Sequence, residues 1–113
     1  MSAILELARR LGKEIANSPE ATALRTARAD LEKDDGASKL LKDYQVQAEK
    51  IAKLEQENKP VEVEDKHGLR GLHEELASSE TFKKFTAAQV EYIDLMRKVN
   101  EALRQNLAET EGA

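Results

Sequence analysis

The stretch from Ser79 to Leu107 constrains this chain most. Phe82, Phe85, Gln89, Tyr92, Met96, Val99, Leu103 and Asn106 recur at alternating spacings of three and four. That periodicity places them on one face of an α-helix, apolar except at Gln89 and Asn106. Three of the chain's four aromatic residues lie on it. At the standard rise such a helix is roughly 40 Å long. A rod with a lengthwise apolar stripe must lay that stripe against another surface, in the same chain or in a second one.

The preceding chain reads as shorter helices separated by capped breaks. The first is expected from about Ala3 to Ala16, with Ile4, Leu7, Leu11 and Ile15 as its buried face and Glu6 and Arg10 as an exposed pair. Gly12 weakens it, or lets another helix approach closely. Asn17-Ser18-Pro19-Glu20 is the clearest local signal. Ser18 can accept from a free amide of the next turn, Pro19 fits the first helical position, and Glu20 suits the positive end of the helix dipole. The second helix turns Leu24, Ala27 and Leu31 inward and ends at Lys33-Asp34-Asp35-Gly36, with Asp35 expected to cap the third. That helix, about Ala37 to Asn58, carries Ala37, Leu41, Tyr44, Ala48 and Ile51 on one face, with Glu49 and Lys53 as an exposed pair. It closes at Asn58-Lys59-Pro60, because the residue before proline is pushed out of the helical region. Val61-Glu62-Val63-Glu64 alternates like a strand but has nothing to pair with, so it reads as an extended connector. Leu69, Leu72 and Leu76 place a short fourth helix before the long one, whose surface pairs are expected at Glu80–Lys84 and Asp94–Lys98. The tail, residues 109–113, is expected to fray.

These elements predict a single all-α domain over residues 1–113, an elongated bundle of about five helices with two long ones antiparallel. The chain's length suits one domain, and its composition, 35% charged and only 4% aromatic, suits long helices. The sequence also echoes itself. Glu14-Ile15-Ala16-Asn17-Ser18 matches Glu75-Leu76-Ala77-Ser78-Ser79 at a shift of 61, and the match continues with Leu24 on Phe85, Ala27 on Ala88 and Leu31 on Tyr92. Two readings fit: a duplicated helical hairpin, or the common look of capped amphipathic helices.

Several functions are disfavoured. A net charge of −4 argues against a dedicated nucleic-acid binder. No run reaches the apolar length of a membrane span. The start of the chain lacks the pattern of a secretory signal, so a cytoplasmic protein is expected. The absence of cysteine excludes disulfides and thiolate-bound metals or clusters. His67 and His73 stand six apart and do not share a helical face as a metal pair would, despite Glu64, Asp65 and Glu74 nearby. No nucleophile motif or phosphate-cradling loop appears, and the carboxylates fall on outer faces with nothing to shift their pKa. No catalytic, cofactor or metal residue is therefore assigned. Arg9, Arg10, Lys13, Arg25 and Arg28 gather positive charge early in the chain. Interspersed acids make that a solvated face, and an RNA-facing patch is the alternative. The functional expectation rests on the apolar seam of Phe82, Phe85, Tyr92, Met96, Val99 and Leu103 as the contact surface of a homodimer or of another protein.

The run Leu11…Ile15-Ala16-Asn17-Ser18-Pro19-Glu20, then Ala27…Leu31…Asp34-Asp35…Ala37…Leu40-Leu41-Lys42-Asp43-Tyr44, resembles the YlbF/YmcA family of small bacterial helical proteins. Glu74-Glu75-Leu76-Ala77-Ser78-Ser79…Phe82…Phe85 resembles it too, and the likeness covers about residues 4 to 107. The resemblance implies an all-α, dimer-prone cytoplasmic regulator without catalytic residues. Relatives act as accessory factors that assemble with other proteins to influence a membrane-associated endoribonuclease, and through it competence, biofilm formation and sporulation. Some relatives carry cysteines linked to iron–sulfur clusters. This sequence has no cysteine and departs from those relatives there, so the resemblance implies no such cluster for it.

Overall fold

Ser18 and Pro19 break the chain where their chemistry predicts. In the computed structural model, which describes residues 2–111 and side chains through residue 108, five α-helices and no strand occur among the described residues. They are α1 (Ala3–Ala16), α2 (Pro19–Lys33), α3 (Asp35–Gln56), α4 (Val63–Ala77) and α5 (Glu80–Glu111). The all-α expectation holds. Of the tail expected to fray, the helix is described through Glu111, and residues 112–113 lie outside the described residues.

The chain divides into two compact units, Arg28–Phe85 and Met1–Ala27 with Thr86–Ala113. In the first, α3 packs on α4 as a hairpin. Leu76 is 2% exposed, Ala37 and Leu31 are buried, and Leu41, Tyr44, Ile51, Leu54, Leu69 and Leu72 are half-buried. Full burial of a leucine contributes about 1.5–3 kcal/mol. Polar contacts fix the register. The Gln47 amide donates to the Asp65 carbonyl at 3.0 Å, the Lys50 ammonium meets the Asp65 carboxylate at 2.9 Å, and the Tyr44 ring lies 6.2 Å from that of His73.

The hairpin's turn differs from expectation in its details. α3 ends two residues early at Gln56, and Asn58 takes the left-handed conformation with φ 56°. Lys59 N–H then reaches Leu54 O at 2.8 Å and Asn58 N–H reaches Glu55 O at 3.1 Å. These two bonds close the helix in a Schellman arrangement, with Pro60 just beyond. Val63 and Glu64, expected in an extended connector, form the first turn of α4. The reason is Asp65, whose carboxylate turns back to accept from the Glu62 N–H at 3.3 Å. The cap of α3 is Asp34, not Asp35: its Oδ1 accepts from Ala37 N–H at 3.1 Å and its Oδ2 from the Thr81 hydroxyl at 2.7 Å.

In the other unit, Ala21 and Ala27 are buried on α2 and Leu24 is half-buried. The Arg25 guanidinium donates to the Ala16 carbonyl at 2.9 Å, satisfying the free end of α1. α1 itself buries no residue. Its expected inner face is instead open, with Ile4 78%, Leu7 61% and Leu11 37% exposed. Only Ile15, beside the turn, is half-buried. The expected burial of that face does not occur: among the described residues no other part of the chain covers it.

Candidate interaction surface

The expected seam lies on α5, and its residues differ in exposure. Phe82 and Phe85, in the Arg28–Phe85 unit, are half-buried. The Arg28 guanidinium sits 6.0 Å from the Phe85 ring centre, within cation–π range. In the other unit Tyr92, Met96 and Val99 are half-buried, while Leu103 is 51% exposed. Gln89 and Asn106 are exposed, and the Asn106 amide donates to Ala102 O at 3.1 Å.

A second row on α5, missing from the sequence reading, shares residues with that seam. Ile93, Met96, Asn100, Leu103 and Leu107 follow spacings of three and four, and Ile93 and Leu107 are exposed. The signal was present in the periodicity, but the first row's aromatic residues hid it. Tyr92, Ile93, Met96 and Asn100 line a shallow depression bounded by Arg97, Glu101 and Arg104. The charged rim is ordered. Arg97 bridges Asp94 at 2.8 Å and Glu101 at 2.6 Å, and Lys98 meets Asp94 at 2.9 Å, as the sequence predicted for that last pair. The Arg97 hydrogen bond, then that of Lys98, holds the Asp94 carboxyl below its ordinary value. At the start of the helix, Glu80 pairs with Lys83 at 3.4 Å rather than with Lys84.

The five basic residues have separate tasks. Arg25 caps α1 and also contacts Thr22 Oγ1 at 3.3 Å, and Arg28 lies over Phe85. Arg9, Arg10 and Lys13 are exposed on α1, where no acidic side chain among the described residues pairs with them, Glu6 included. Arg9 and Lys13 are four apart and share a face.

Elsewhere the titratable groups serve the helices. The Thr81 hydroxyl, then the Ala37 amide, lowers the Asp34 pKa. Lys50 does the same for Asp65. His73 leans on Tyr44 and His67 is exposed. Among the described residues no three His, Asp or Glu side chains gather to hold a metal ion, and no helix is long and apolar enough to cross a membrane. What the arrangement offers is apolar surface. Ten large hydrophobic side chains are exposed among the described residues, and eight lie on α1 and α5 within one unit: Ile4, Leu5, Leu7 and Leu11, and Val90, Ile93, Leu103 and Leu107.

A family model described as "Control of competence regulator ComK, YlbF/YmcA" matches residues 4–108. No curated protein matches the chain in sequence.

Proposed function

We propose that this chain, which belongs to the YlbF/YmcA family, is a non-enzymatic regulator that works through helix-to-helix contacts with other proteins and with a second copy of itself. The family's description gives its members a regulatory role, control of the competence regulator ComK. The observation that carries the proposal is the concentration of exposed apolar side chains on α1 and α5. Exposed apolar helix faces of that kind, flanked by charged side chains, favour an interaction role over a catalytic one. The seam of Phe82, Phe85, Tyr92, Met96, Val99 and Leu103 supplies the α5 side of the contact. The whole chain acts as one domain in the cytoplasm, as an accessory factor to RNA processing or developmental regulation.

Affinity purification from the native host, with and without ribonuclease, tests this. The same protein partners should be retained after ribonuclease treatment and at physiological salt. Loss of every partner on ribonuclease treatment would overturn the proposal in favour of direct RNA contact through Arg9, Arg10 and Lys13. That binding would fall steeply with added salt.

A further inference from the structure

The two uncovered apolar faces of one unit match each other. On α1, Ile4, Leu7, Leu11 and Ile15 are spaced three, four and four apart, and on α5, Ile93, Met96, Asn100, Leu103 and Leu107 are spaced three, four, three and four. Both are the narrow seams that pack knobs into holes between paired helices. The α1 seam is about 16 Å long and the α5 seam about 21 Å, so the longer can seat the shorter. The Ser2 hydroxyl accepts from Leu5 N–H at 3.4 Å, a cap that starts α1 ahead of its seam. Gly12 leaves open space, with no atom of the described residues within 4 Å of where a Cβ would stand.

We propose that α1 of one copy lies along the Ile93–Leu107 face of α5 in a second copy, and that a two-fold axis repeats the contact reciprocally. This rests on the self-association part of the proposed function and specifies it. Six exposed side chains lie on these two faces, Ile4, Leu7, Leu11, Ile93, Leu103 and Leu107, and together they supply a large part of the roughly 800 Å² that each partner contributes to a standard interface. One two-fold operation covers both faces and closes the assembly, whereas a foreign helix on either face leaves the other bare. Pairing α1 with its own copy is the competing arrangement. Run antiparallel, it sets Arg9 and Arg10 against Arg10 and Arg9 of the second copy, and like charges disfavour it.

The test uses charge swaps at exposed positions, which leave the buried core of each chain intact. Wild-type protein should sediment at twice its 12.6 kDa. Leu7→Glu alone and Ile93→Lys alone should each halve that mass with helix content unchanged. Mixing the two variants should restore the dimer, because one reciprocal contact is then native and the other pairs opposite charges. The chain has no cysteine, which permits a second measurement. Leu11→Cys chains mixed with Asn100→Cys chains should oxidise to the mixed disulfide in preference to either like pair. A monomeric wild type would overturn the self-association reading and this inference together. A wild-type dimer that Leu7→Glu leaves intact, or a preference for the Leu11→Cys like pair, would overturn this inference alone.

Discussion

The turn between α1 and α2 and the turn between α4 and α5 are built from the same hydrogen bonds, yet the helices entering them meet different fates. Asn17 N–H reaches Lys13 O at 3.0 Å, and Ser78 N–H reaches Glu74 O at 3.2 Å, 61 residues on. Ser18 N–H to Ile15 O (3.1 Å) matches Ser79 N–H to Leu76 O (2.9 Å), and Thr22 N–H to Ser18 O (3.0 Å) matches Lys83 N–H to Ser79 O (2.9 Å). Each serine hydroxyl caps the next helix, Ser18 accepting from Ala21 at 3.1 Å and Ser79 from Phe82 at 3.3 Å. Both incoming helices end at the equivalent residue, Ala16 and Ala77, and both outgoing ones begin at the equivalent residue, Pro19 and Glu80. The difference lies in what covers the incoming helix. α4 has α3 along its side and buries Leu76, while among the described residues α1 has no such companion and buries nothing. Two elbows with the same backbone bonds and serine caps therefore show that local chemistry sets the turn, and that a partner decides whether the helix face is core or surface.

The largest test of this contrast compares equivalent side chains. Leu76→Ala empties a fully covered site and should cost about 2–5 kcal/mol, independent of protein concentration. Ile15→Ala, its counterpart, removes a half-buried side chain and should cost under about 2 kcal/mol. Urea denaturation at two protein concentrations measures both. A loss at Ile15 that grows with protein concentration would mean a second copy supplies there what α3 supplies at α4. Equal and concentration-independent losses would mean α1 is covered within its own chain, and the contrast would fail.

A smaller effect should separate the caps. Ser18→Ala and Ser79→Ala should each cost roughly 0.5–2 kcal/mol, the usual value of a helix cap. Ser18 also donates to Ile15 O at 2.6 Å, tying the two helix ends directly. Ser79 instead contacts the Thr81 hydroxyl at 3.1 Å, which donates onward to Asp34. Thr81→Val should therefore weaken the second elbow, whereas no change at the first elbow reaches Asp34. Thermal unfolding of Thr81→Val beside Ser79→Ala checks this: no loss in the former would place the Asp34 link outside the energetics.

Those contrasts also mark what the sequence could disclose. Asn17-Ser18-Pro19-Glu20 carries its own turn chemistry, so the first elbow was legible residue by residue, and the echo extended it to Ser78-Ser79. Which of two adjacent aspartates caps α3 was not legible, since both have the right side chain. The choice falls to Asp34 alongside a bond from Thr81, 47 residues away. The start of α4 was hidden for the same reason: Asp65 turns back to Glu62 while held by Lys50 from α3. Of the interaction surface, the spacing disclosed which residues share a face on α5 and on α1. It could not disclose exposure, because a 3–4 repeat is the same whether or not a helix lies on it.

The smallest expected effect concerns acid, and it belongs to one elbow only. Asp34 caps α3 and accepts from Thr81, and these bonds to its charged form, Thr81 first, hold its carboxyl below the ordinary aspartate value of 3.8. A carboxyl whose folded pKa lies below its unfolded one binds protons more readily in the unfolded chain. Its stabilisation is therefore complete above the unfolded value, at about pH 5 and higher, and drains away as pH falls through the folded value. Asp34→Asn keeps a side-chain oxygen for the Ala37 amide but removes the titration. The variant should be slightly less stable than wild type at neutral pH, and the gap should close as the pH drops below 3.8. The first elbow has no carboxylate in its hydrogen-bond chain, so Ser18→Ala should leave that pH dependence unchanged. Urea midpoints at pH 7, 5 and 3 for the two variants beside wild type read this out. A gap for Asp34→Asn that stayed constant across that range would show that the bonds to Asp34 do not favour its charged form, and the expected pH dependence would fail.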